Sequence, residues 1–119
     1  MDPASTQRAI QRLAKEVQRL QQHELALYQR GREQARIELE MCGTDNPVAY
    51  EWKKAQFDSY EQAVSRTLNT IREYNSTRVL LIAGAPLSPA LAVHAARFSI
   101  SEAEEAEQRE KAFHRLRYF

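Results

Sequence analysis

Three histidines and one cysteine are the side chains of this sequence best suited to holding a metal or attacking a substrate. Their spacing argues against both uses. His23, His94 and His114 are scattered along the chain, no His-Glu-x-x-His run occurs, and Cys42 has no second thiol to share a metal or a disulfide. Cys42 also falls near the expected end of a helix, where the backbone dipole disfavours a thiolate. Carboxylates are numerous but occupy polar stretches, and neither a Gly-x-Ser-x-Gly elbow nor a glycine-rich phosphate loop is present. The expectation is a protein without catalytic residues, metal or cofactor, in which His94 is a core or edge histidine. A single cysteine suits a reducing compartment.

Cations offer a second kind of chemistry. Arg8, Arg12, Lys15 and Arg19 recur at spacings of 4, 3 and 4, which places them on one ridge of a helix. Cations in the first turns of a helix oppose its dipole, at a cost of a few tenths of a kcal/mol each. Contact with phosphates is one use that would offset that cost, and a solvated ridge is the plain alternative. The net charge of +1 does not decide between them. No aromatic platform accompanies the stripe.

The elements that must carry these groups are marked out by rare residues. Asp2-Pro3, Asn46-Pro47 and Ser88-Pro89 each set a short polar side chain before a proline, the pattern of a helix N-cap followed by a residue that needs no hydrogen bond. Ser101-x-x-Glu104 has the spacing of a capping box. Gly43 and Gly84 stand where helices should stop. Four helices follow, over 3–42, 47–83, 89–98 and 102–118. Thr77 to Ala83 is rich in β-branched residues, but a lone strand would have no partner in the chain, so it is read as helix. The first two helices, about 60 Å each at 1.5 Å per residue, are joined by the short link GTDN. So short a link forces neighbouring helices antiparallel.

Hydrophobic spacing agrees with a two-helix seam. Ile10, Leu13, Val17 and Leu20 line one side of the first helix. After a drift between Leu25 and Tyr28, the stripe resumes as Tyr28, Ala35, Leu39 and Cys42. Phe57, Tyr60, Val64, Leu68, Ile71 and Tyr74 line the second helix. If residue 42 faces residue 47, facing positions sum to about 89, which pairs Val64 with Leu25 and Ile71 with Val17. Trp52 lies off this stripe. It is expected either to pack near Ile37 or to serve as an exposed anchor for a partner.

Val79 to Ala96 contains no Asp, Glu, Lys or Arg. Gly84, Pro86 and Pro89 interrupt it, which disfavours a membrane span. The segment divides into a helix end, a turn and a short helix, whose Leu80, Leu81, Ile82 and Leu91 are expected to form a local core or a docking patch. The tail places Glu102, Glu104, Glu105 and Glu107 before Arg109, Lys111, Arg115 and Arg117, an order that complements a helix dipole. It ends in Phe113, Leu116, Tyr118 and Phe119, a cluster expected to dock on the Leu80–Leu91 patch or on a neighbour.

The fold class expected is all-α: a long antiparallel coiled-coil-like helical hairpin (3–83) followed by two shorter helices that form a cap or docking arm (84–119), all in one domain. Its thin core calls for partners. The function expected is a non-enzymatic, self-associating interaction protein serving as scaffold, adaptor or assembly factor. Its interface would draw on Val64, Ile71, Leu80, Leu81, Ile82, Leu91, Phe113, Leu116 and Phe119, with Trp52 as an anchor. The alternative is an oligomeric nucleic-acid-binding protein using Arg8, Arg12, Lys15 and Arg19. A homo-oligomer or a protein partner is expected, and a membrane is not. MDPASTQRAI has no basic region followed by an apolar run, so the expected location is the cytoplasm or a macromolecular assembly rather than the exterior.

Overall fold

Local capping chemistry sets the helix ends. In the computed structural model, which describes residues 1–117, Asp2 Oδ1 accepts from the Ser5 amide at 2.7 Å and Asn46 Oδ1 from the Ala49 amide at 3.2 Å. Ser88 Oγ accepts from the Leu91 amide at 3.4 Å, and Ser101 Oγ from the Glu104 amide at 3.1 Å. Each satisfies one of the orphan donors of a first helical turn. The helices are α1 (Pro3–Arg19), α2 (Leu25–Cys42), α3 (Pro47–Ala83), α4 (Pro89–Ser99) and α5 (Glu102–Arg117). No strand occurs among the described residues, so the protein is all-α. Tyr118 and Phe119, both assigned to the docking tail, lie outside the described residues.

Gly43 and Gly84 have φ of 64° and 68°, the left-handed region in which a side chain is strained. At Gly84 the amides of Gly84 and Ala85 donate to Leu81 and Leu80, at 3.2 and 3.0 Å, which closes the end of α3 as a Schellman motif.

The expected first helix, 3–42, is interrupted. A π-helical turn (Leu20–Glu24) separates α1 from α2, and the Leu25 amide reaches back to the Leu20 carbonyl. This wider turn inserts extra chain without breaking the helix and so rotates the face that follows. It lies just ahead of the drift in the apolar stripe. On α1 the buried positions are Ala9, Leu13 and Val17, with Ile10 only half-buried; Leu20 is buried at the start of the π turn, and on α2 Ala35 is buried.

By compactness the chain forms two units, residues 16–73 and residues 1–15 with 74–119. The boundaries fall inside α1 and α3. In the unit 16–73, Val17, Leu20, Ala35, Val64, Thr67 and Ile71 are buried. Thr67 takes the place expected for Leu68, which is 42% exposed. Its hydroxyl is satisfied by donating to the Ala63 carbonyl at 2.8 Å. α2 and α3 meet at an ion pair and at a close aromatic approach. Lys53 Nζ pairs with Glu38 at 3.1 Å, and Tyr60 lies over Gly31, where a Cβ would come within 2.3 Å of the ring. Positions in both pairs sum to 91. In the unit containing both termini, Ala9, Leu13, Tyr74, Thr77, Ala95 and Phe98 form the interior.

Candidate interaction site

Phe98 and Glu105 organise the unit that contains both termini. α4 ends at Ser99, and Ile100 turns extended, which leaves the last carbonyls of the helix without intrahelical donors. Arg8 Nη1 donates to the Ser99 carbonyl at 2.8 Å and Arg12 Nη1 to the Ile100 carbonyl at 2.7 Å. Two guanidiniums thus sit at the negative end of the α4 dipole. Arg12 also lies over the Phe98 ring, 5.1 Å from its centroid, and Arg97 lies 4.8 Å from the same centroid. Tyr74 meets Phe98 edge-on at 5.4 Å and His94 at 4.9 Å, and its hydroxyl accepts from Arg97 at 3.3 Å.

α5 is fastened to this centre by its first two turns. Glu105 accepts from Arg109 at 2.8 Å and from Arg12, and Arg97 Nε lies 3.6 Å away. Lys15 pairs with Glu102 at 2.9 Å on the surface, where the bond is worth little. The Arg109 and Arg12 guanidiniums hold the Glu105 carboxyl at about 2, against an ordinary 4.5. Because the folded value is depressed, the unfolded chain takes up the proton first as pH falls. Stability from this carboxylate is therefore complete above about pH 4.5 and is lost progressively towards pH 2. With solvent screening the effect should be on the order of 1–2 kcal/mol. Urea denaturation followed by circular dichroism between pH 6 and pH 2 should show a steeper acid loss for the native protein than for Glu105→Gln. Parallel curves would refute the assignment.

The basic stripe is thus engaged by the chain itself. Arg8 and Arg12 hold carbonyls, Arg12 and Lys15 hold carboxylates of α5, and Arg19 pairs with Glu16 and Glu24. Of the stripe, Arg8 and Arg12 are drawn into contacts within the chain, while the Lys15 and Arg19 side chains stay exposed. Cations that oppose the dipole of α1 are used to cap the far end of α4.

The predicted interface residues differ in exposure. Val64 and Ile71 are buried. Leu80, Leu81 and Leu91 are half-buried, while Ile82 is exposed, with Val79 and Val93 also exposed in the same unit. Trp52, expected either to pack near Ile37 or to stand out as an anchor, is 78% exposed, and Met41 and Val48 are exposed as well. Docking of the tail on its own Leu80–Leu91 patch does not occur for the described residues. Phe113 is 64% and Leu116 79% exposed, and α5 buries none of its residues. Between α4 and α5 runs an open groove of about 570 Å³, lined by Val93, Ala96, Arg97, Ile100, Arg109 and Ala112 among others.

Phe98, Arg97 and the role of Glu105 escaped the sequence reading. The spacing of Glu105 and Arg109 marks a helical ion pair, but nothing local marks the approach of Arg12 from 93 residues away. Among the described residues no three of His, Cys, Asp and Glu are grouped to hold a metal ion, and no helix is long and apolar enough to cross a membrane. No family model, curated protein or solved structure matches the chain.

Proposed function

We propose that this protein is a non-enzymatic, self-associating helical scaffold or adaptor, built on an antiparallel coiled-coil-like hairpin that carries α5 as a docking arm. The observation that supports it best is α5 itself. This sixteen-residue helix is held to its own chain through Glu102 and Glu105, yet it presents Phe113 and Leu116 to solvent and so has apolar surface left for another. Exposed Met41, Val48 and Trp52 add a second apolar area in the other unit.

The hairpin is supported by Gly31 with Tyr60 and Glu38 with Lys53, which run in opposite chain directions at a constant sum of 91. The two-position offset from 89 has a simple cause. Helical side chains lean about one position towards their own N-terminus, and in an antiparallel pair the two leanings add.

Light scattering on the full chain tests the proposal. A mass of at least two chains at about 100 μM is expected, and a single-chain mass across all concentrations would overturn it. The nucleic-acid alternative would need cations that are engaged within the chain, and salt-sensitive binding to random duplex DNA would be required to restore it.

A further inference from the structure

We propose that the groove between α4 and α5 binds a small amphiphilic carboxylate, an anionic head carried on an aliphatic chain. The site lies within one chain and stands independently of self-association.

Charge is the first reason. Arg97 and Arg109 line the groove, and Glu105 is the one acid among its lining residues. Glu105 is already shared by three guanidiniums, those of Arg12, Arg97 and Arg109. One carboxylate does not neutralise three cations, so the cluster keeps an excess of positive charge. Two neighbouring acids on α5 are engaged elsewhere, Glu102 with Lys15 and Glu107 with Lys111. A second carboxylate is the group this cluster lacks.

Donor geometry is the second reason. A guanidinium carries five N–H donors in a planar fork that matches a carboxylate with two parallel bonds. Arg109 donates from Nη2 to Glu105 at 2.8 Å. Arg97 donates from Nη1 to the neutral Tyr74 hydroxyl at 3.3 Å, and its Nε lies 3.6 Å from Glu105. The two side chains are 50% and 72% exposed, so their other donors are open to a ligand. Arg97 also lies over the Phe98 ring at 4.8 Å, which holds its fork in place before anything binds.

Shape is the third. On α4, Val93, Ala96, Arg97 and Ile100 follow the spacing i, i+3, i+4, i+7. On α5, Glu105, Gln108, Arg109 and Ala112 follow the same spacing. Each helix thus offers one stripe with an arginine at its third place. At about 1.5 Å per residue each stripe is about 10 Å long. The volume of about 570 Å³ falls in the range of small-ligand sites. Small side chains at Ala96 and Ala112 leave that space open, and Val93 and Ile100 supply apolar contact for a chain.

Calorimetric titration and amide NMR of the full chain provide the test, with decanoate below its micelle concentration as the probe. Decanoate should bind with a Kd below about 1 mM and shift amides of residues 93–100 and 105–112. Acetate lacks the chain and decylammonium reverses the charge; each should bind at least about tenfold more weakly. Arg97→Gln with Arg109→Gln should weaken decanoate binding by a similar factor. Ala112→Trp fills the groove from an exposed position and keeps both arginines, and it should weaken binding likewise. Circular dichroism should confirm that the variants remain helical. Decylammonium binding as tightly as decanoate would reveal a merely apolar surface and overturn the proposal. Shifts centred outside residues 93–112, undiminished affinity in Ala112→Trp, or no binding at about 1 mM would each overturn it too.

Discussion

Replacing Leu13 by alanine is expected to destabilise the unit formed by residues 1–15 and 74–119 by about 2–5 kcal/mol. Leu13 is fully buried, and it is the largest apolar side chain in that state. Truncation removes its transfer free energy and leaves a cavity whose walls cannot easily collapse. Ala9 and Ala95, both buried, are too small to fill it, and Phe98 is fixed between two guanidiniums and an aromatic edge. Amide exchange gives a readout specific to this unit: protection across α4 should fall by a factor of roughly 30 or more, the equivalent of about 2 kcal/mol. An unchanged exchange pattern would mean that the site relaxes freely and that the core lies elsewhere.

Arg12→Met is expected to have the next largest effect, about 1.5–3 kcal/mol. Methionine keeps most of the stem volume but removes the donor to the Ile100 carbonyl, one ion pair of Glu105 and a cation over Phe98. Glu105 retains Arg97 and Arg109, which is why the loss should be smaller than for a buried charge left wholly unpaired. A double-mutant cycle with Glu105→Gln isolates the pair. Chemical denaturation should give a coupling energy of about 1 kcal/mol. Additive losses would show that the two side chains act independently.

The second prediction concerns the attachment of α5. Where Arg12 and Lys15 hold Glu105 and Glu102, the arm is anchored at its acidic end. Its distal half, from Arg109 to Arg117, carries the exposed Phe113 and Leu116. Loss of Arg12 should thus loosen the arm at its acidic end and leave the exposed Phe113 and Leu116 unchanged.

The helix map was legible because its determinants are local. Asp2, Asn46, Ser88 and Ser101 cap the amides a few residues ahead of them, and Gly43 and Gly84 adopt the backbone angles that stop a helix. Such bonds form within one turn whatever the rest of the chain does. The π turn at Leu20–Glu24 left a trace only as a drifting stripe, because spacing reveals a change of face and not the hydrogen bonds that produce it. The tertiary structure alone decided the partners of the basic stripe, the burial of Thr67 in place of Leu68, the exposure of Trp52 and the isolation of Phe113. Periodicity assigns a residue to a face of its own helix. Whether that face meets solvent, a carbonyl or a carboxylate depends on chain segments some 90 residues distant, whose approach is set by packing between helices and is written in no local pattern.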